Sequence, residues 1–124
     1  MPWNTALPIF IAEDDPALLN SLAFMLQGEG YRVVTFESGS ELLSAFPGAK
    51  PGCVLLDYVM PGMSGLEVYH QLRERGVDVP VLLLTGHPDP SIRRRAREAG
   101  LPLIEKPLAQ DLLSAIEAAA SPLH

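Results

Sequence analysis

Short apolar runs alternate with longer amphipathic stretches along the chain. The runs are Ile9-Phe10-Ile11-Ala12, Val33-Val34-Thr35-Phe36, Cys53-Val54-Leu55-Leu56, Val81-Leu82-Leu83-Leu84 and Leu101 to Ile104. Several are apolar on both faces, which predicts strands covered by helices above and below. Their alternation with helical stretches predicts βαβ units and a parallel sheet. The fifth run is the weakest, because Pro102 cannot donate to a ladder and suits an edge strand.

Helix starts between the runs are well marked. Asp15-Pro16 and Asp89-Pro90 each place a capping carboxylate before a proline at the first helical position. Ser38 with Glu41, and Ser64 with Glu67, have the capping-box spacing. Leu18, Leu22, Met25 and Leu26 recur on one helical face, as do Leu112, Leu113 and Ile116. Gly30, Gly76 and Gly100 follow the first, third and fourth helices, where a left-handed residue closes a helix. The pattern therefore reads as (βα)5.

Composition narrows the class. The 124 residues fit one domain. With 48% hydrophobic and 19% charged residues the chain is not of disordered type. Nine Lys and Arg against fifteen Asp and Glu give a formal charge of −6, a poor field for direct nucleic-acid binding. Cys53 is the only cysteine, so neither an internal disulfide nor a cysteine zinc cluster can form. No apolar run approaches the ~20 residues of a membrane span. Met1 to Pro8 lacks the basic residues of a secretory signal, so a cytoplasmic protein is expected.

Open α/β sheets bind ligands beyond the carboxyl ends of their strands, at the switch point of strand order. After the first run come Glu13, Asp14 and Asp15, after the third Asp57, after the fourth Thr85, and after the fifth Glu105-Lys106-Pro107. In a 2-1-3-4-5 order the first and third strands are neighbours, which brings the acidic cluster beside Asp57. Thr85 and Lys106 then flank from the other side. Crowded carboxylates repel one another and call for a divalent cation or a proton. Oxygen-only ligands point to Mg²⁺. A carboxylate can also attack a phosphoryl group, whose oxygens then need a cation and a hydroxyl donor.

Glu13-Asp14-Asp15, Asp57 with Met60-Pro61-Gly62-Met63-Ser64-Gly65, Thr85-Gly86 and Lys106-Pro107 occur in order, each following a strand. Together they resemble the receiver domain of two-component response regulators, over about Pro8 to Ala120. The resemblance implies a flavodoxin-like three-layer sandwich with one parallel sheet of order 2-1-3-4-5 and a single receiver domain over 1–124; no output domain is expected within this chain, which is either a stand-alone receiver or a piece of a longer regulator. It implies Asp57 as phosphoacceptor, with Thr85 and Lys106 binding the phosphoryl group and Gly86 meeting it through its backbone. Mg²⁺ would be held by Asp14, Asp57 and the main-chain carbonyl of Val59, with Glu13 acting mostly through water. Lys106-Pro107 resembles a cis peptide of the family. The donor would be a sensor histidine kinase or phosphotransfer protein. The output would be a changed surface on the fourth helix, fifth strand and fifth helix. On this reading the chain is a phosphoacceptor domain that assists its own phosphorylation and dephosphorylation, not an enzyme of another substrate.

Departures from the family pattern bear on the output surface. Leu103 stands where the family commonly has an aromatic residue that swings inward with the threonine. Leu101 stands where a small residue is usual. A smaller switch is therefore expected, with dimerisation through Ile92, Ala96 and neighbours as one form of it, and a docking module independent of phosphorylation is the alternative. A haloacid-dehalogenase-like phosphatase needs an acid two residues after its nucleophile, where this chain has Val59. A nucleotide or flavin binder lacks its phosphate loop.

Other singular residues have plainer readings. Asp15, before Pro16, is a helix cap. Arg93, Arg94, Arg95 and Arg97 read as a solvated face pairing with acids such as Glu98, with partner docking as the alternative. His70 and His87 lack ligand-like spacing. Cys53 reads as a small core residue, and Trp3 as loosely packed before the first strand.

Overall fold

A computed structural model describes residues 7–46, 48–86, 89–105 and 109–120, with side chains of 113–118 in the last segment. Its elements are β1 (Ile9–Ala12), α1 (Pro16–Gly28), β2 (Val33–Phe36), α2 (Gly39–Leu43), β3 (Cys53–Asp57), α3 (Gly65–Glu74), β4 (Val81–Thr85), α4 (Pro90–Ala99), β5 (Leu103–Glu105) and α5 (Ala109–Ala120). The strands form one parallel sheet in the order β2-β1-β3-β4-β5. This is the flavodoxin-like arrangement expected from the alternation.

The register carries the functional end. Ala12 of β1 lies opposite Leu56 of β3, so the next residues, Glu13 and Asp57, leave the sheet side by side. β1, β3 and β4 are buried at every position, while edge strand β2 exposes its central residues. Alternate residues feed opposite faces. Phe10, Val54, Leu56 and Leu83 pack with Leu42, Phe46, Val68, Leu72 and Ile92 of the α2, α3 and α4 side. Ile9, Ile11, Cys53, Leu55, Leu82 and Leu84 pack with Leu19, Leu26 and Ile116 of α1 and α5.

Caps set where the helices begin. Asp15 and Asp89 accept from the backbone N–H groups of Ala17 and Ile92, at 3.0 and 2.9 Å. Ser64 and Glu67 form a complete capping box. At α2 the box is only half made. Ser38 accepts from Glu41 N, but the Glu41 carboxylate reaches past it to Glu37 N, 3.1 Å away. Gly30, Gly76 and Gly100 all take positive φ where their helices close.

Several expectations need correction. β5 begins at Leu103, not Leu101, because Pro102 contributes only its carbonyl, which accepts from Leu83 N at 3.0 Å. The core face of α1 is led by Leu19 and Leu26, with Leu22 and Met25 half-buried beside them. Leu18, in the first turn, lies at the ligand end of the sheet instead. Ile92 and Ala96 are buried against the sheet, so they are not available as a dimer face. Arg93 pairs with Glu105 of β5 at 2.8 Å rather than with Glu98. Trp3, His87 and the side chain of Leu112 lie outside the described residues.

Candidate functional site

Two strand ends and the loops that leave them build the site. Glu13 extends β1 by one ladder bond, its N–H donating to Phe36 O at 3.1 Å. This holds its side chain inward, where it is 1% exposed. Its Oε2 accepts from Asp15 N at 3.3 Å. Asp14, between them, is turned to solvent, while Asp15 is committed to the α1 cap.

Asp57 is the last residue of β3 and only 5% exposed. The peptide after it is held on two sides. Tyr58 N donates to Leu84 O of β4 at 2.7 Å, and Tyr58 O accepts from Gly65 N at 3.0 Å. The Asp57 carboxylate therefore leaves from a fixed backbone.

Carboxylate oxygens of Glu13, Asp14 and Asp57 all lie within 4.8 Å of one another. Two unit negative charges at that separation repel by about 3 kcal/mol at an effective dielectric near 20. The donors are all hard oxygens, with one member reaching solvent, which fits Mg²⁺ with part of its water shell retained. The group opens into a cleft of about 210 Å³ whose rim includes Leu18, Val59 and Gly86. Val59 presents an exposed apolar side chain at this rim.

Thr85 ends β4, one residue before the cleft-lining Gly86, and has no exposed surface. It lies opposite Glu105 in the β4–β5 register. Lys106 and Pro107, with the peptide between them, lie outside the described residues. Glu13, Asp14, Asp57, Val59 and Gly86 are thus gathered at one cleft, with Thr85 buried at its edge. His70 is remote from this chemistry, its ring packed 5.3 Å from Tyr69 on α3. Leu18 as a rim residue was missed by the periodicity, which places it on the core face. The Asp15-Pro16 cap just before it is the signal that could have found it.

Comparison with known proteins agrees with the geometry. Residues 9–117 match the response regulator receiver domain family. The transcriptional regulatory protein FixJ of Bradyrhizobium diazoefficiens is 35% identical over 109 residues, 87% of this chain and 53% of its own length. The response regulator protein TodT of Pseudomonas putida is 38% identical over 118 residues, 94% of this chain and 52% of its own. The chain thus spans about half the length of these relatives. The crystal structure of FixJ-N superposes with a TM-score of 0.83 at 30% identity, covering 92% of both chains. A parallel sheet of this order, an acidic triad at its switch point and a match over nearly the whole chain lead to one conclusion: the chain belongs to the response regulator receiver domain family of two-component signalling.

Proposed function

We propose that this domain is a phosphorylation-dependent switch in which Asp57 accepts a phosphoryl group from a sensor histidine kinase or phosphotransfer protein. One observation carries the reading: three carboxylates converge within 4.8 Å at a cleft, one of them at the end of a buried central strand. An Asp57 carboxylate oxygen attacks phosphorus, the P–N bond to the donor histidine breaks, and the imidazole leaves with the bonding pair and takes up a proton. The product is an acyl phosphate on Asp57. Glu13, Asp14, Asp57 and the Val59 carbonyl would hold Mg²⁺, which supplies positive charge for the transferring oxygens. Thr85 donates its hydroxyl to a phosphoryl oxygen, Lys106 pairs with another, and the Gly86 backbone lies alongside. The domain assists its own phosphorylation and dephosphorylation and has no separate substrate. Val59 favours this reading over a phosphatase, since an apolar side chain stands where a general acid would be needed.

The signal leaves through β4 and β5. A phosphoryl group brings roughly −1.5 to −2 charge and draws Thr85 toward it. Thr85 lies opposite Glu105, and Glu105 holds Arg93 of α4, so movement of Thr85 changes the surface made by α4, β5 and α5. Homodimerisation on that surface is one output. The site is read as belonging to a single cytoplasmic receiver domain that contacts neither nucleic acid nor membrane. Among the described residues no helix is long and apolar enough to cross a membrane.

Mass spectrometry after exposure to acetyl phosphate tests the reading. One phosphoryl group should add to Asp57 with Mg²⁺, and none with EDTA or in Asp57→Asn. Equal labelling of Asp57→Asn, or labelling indifferent to EDTA, removes the assignment.

A further inference from the structure

Gly65 opens α3, and the helix meets the end of β3 where its side chain would be. A Cβ built there would stand 2.5 Å from the Asp57 carbonyl oxygen, 3.1 Å from its carbonyl carbon and 3.2 Å from Leu56 Cβ. All three neighbours belong to the strand that carries the phosphoacceptor, and the nearest two are backbone, which cannot rotate away. Gly39 also has a close approach, but to the side chain of Val68.

Nothing local asks for glycine at this position. Gly65 is not among the positive-φ residues, and alanine is the better helix former by roughly 1 kcal/mol. The contact with Asp57 remains as the physical reason. It adds to the clamp already described: Gly65 N donates to Tyr58 O, while Tyr58 N is held by Leu84 O. The Asp57–Tyr58 peptide is thus fixed between β4 and the bare Cα of Gly65.

We infer that Gly65 is a positioning residue: by letting α3 seat directly on the Asp57 carbonyl, it sets where the Asp57 carboxylate stands relative to Glu13 and Asp14. A Cβ at position 65 must lift the helix or push the Asp57 backbone, and either spoils the convergence of the three carboxylates. The inference rests on the proposed role of Asp57 and its metal site.

Gly65→Ala tests it, with Leu72→Ala as the comparison. Leu72 is a buried residue of the same helix, so its truncation lowers stability without pressing on Asp57. In Gly65→Ala, the Mg²⁺ dissociation constant measured by titration should rise about tenfold, and acetyl-phosphate labelling at saturating Mg²⁺ should slow on the order of 100-fold, as for an ångström-scale misplacement. The metal-free protein should also show a displaced Asp57 carbonyl ¹³C resonance. Leu72→Ala should keep parental values for all three. Parental Mg²⁺ affinity in folded Gly65→Ala overturns the inference. If Gly65→Ala does not fold, Ser64→Ala decides, since it loosens the start of α3 without adding an atom near Asp57. A few-fold weaker Mg²⁺ binding is expected there, and parental affinity overturns the inference. Failure of the parent itself to bind Mg²⁺ or label at Asp57 instead removes the proposed function.

Discussion

Cys53 begins β3 with no exposed surface, between residues that feed the α1 and α5 side of the core. Burial pushes its thiol from 9.0 up to about 12, only partly opposed by the hydrogen bond with the Val54 backbone. At neutral pH the group is a protonated, inert thiol. A thiol reagent should label Cys53 only after denaturation, and rapid labelling of the native protein at pH 8 contradicts this. The same shift has a signed consequence for stability. The unfolded chain loses this proton first, so folding free energy falls as pH rises from about 9 toward 12, by up to about 1.4 kcal/mol per unit. Urea unfolding at pH 8 and pH 10.5 should show a smaller alkaline loss in Cys53→Ala than in the parent. Equal slopes mean that another group carries the loss. Tyr31 adds to it in the same direction, since burial, then Glu117, Cys53 and Glu29, raise its phenol above 10.0.

Among the described helices, α1 contributes a residue, Leu18, to the cleft lining. It carries no charged residue, its first turn places Leu18 on the rim, and Phe24 is 80% exposed. On the proposed function, a phosphodonor protein docked against α1 would meet Phe24, whereas acetyl phosphate would not. Phe24→Ala should leave stability within about 0.5 kcal/mol, as exposed positions do. It should slow phosphotransfer from the partner protein several-fold and leave labelling by acetyl phosphate unchanged. Equal effects on both donors would place Phe24 outside the encounter surface. On α4, by contrast, the Arg93–Glu105 pair joins half-exposed partners and contributes at most about 1 kcal/mol. Its interest lies in linking α4 to the strand beside Thr85.

At the scale of the whole molecule, the acidic triad sets stability against function. Three close carboxylates weaken the metal-free fold, and a cation that binds only the folded state restores it by mass action, about 1.4 kcal/mol at ten times its dissociation constant. Millimolar Mg²⁺ should raise the melting temperature of the parent. Asp57→Asn, which removes one of the three charges, should melt higher without metal and respond less to it. A parent indifferent to Mg²⁺ contradicts the metal site. Beryllofluoride, a phosphoryl mimic, should alter amide-exchange protection between residues 86 and 108. With Leu103 paired against Leu83 and no ring to fill the space Thr85 leaves, the change should be small. Protection unchanged throughout that segment favours a docking module over a switch.

Much of this was legible in the chain itself. Strands buried on both faces are continuous apolar runs, and α/β alternation leaves few topologies, so the sheet and the meeting of Glu13, Asp14 and Asp57 at its strand ends could be read in advance. Caps are local bonds between residues two or three apart, and Asp15, Ser64 and Asp89 cap their helices as the sequence predicts. What only the tertiary structure decided depends on contacts between elements distant in sequence. Leu18 and Leu19 differ by one position, and where α1 starts relative to the carboxyl ends of β1 and β3 decides that one meets the cleft and the other the core. Ile92 and Ala96 lie on the buried face of α4, and Arg93 chose an acid on β5 over one on its own helix. Gly65 closes the segment that resembles the family, but the sequence gives no physical reason for it until Asp57 is brought beneath it, because an excluded Cβ leaves no mark except the glycine itself.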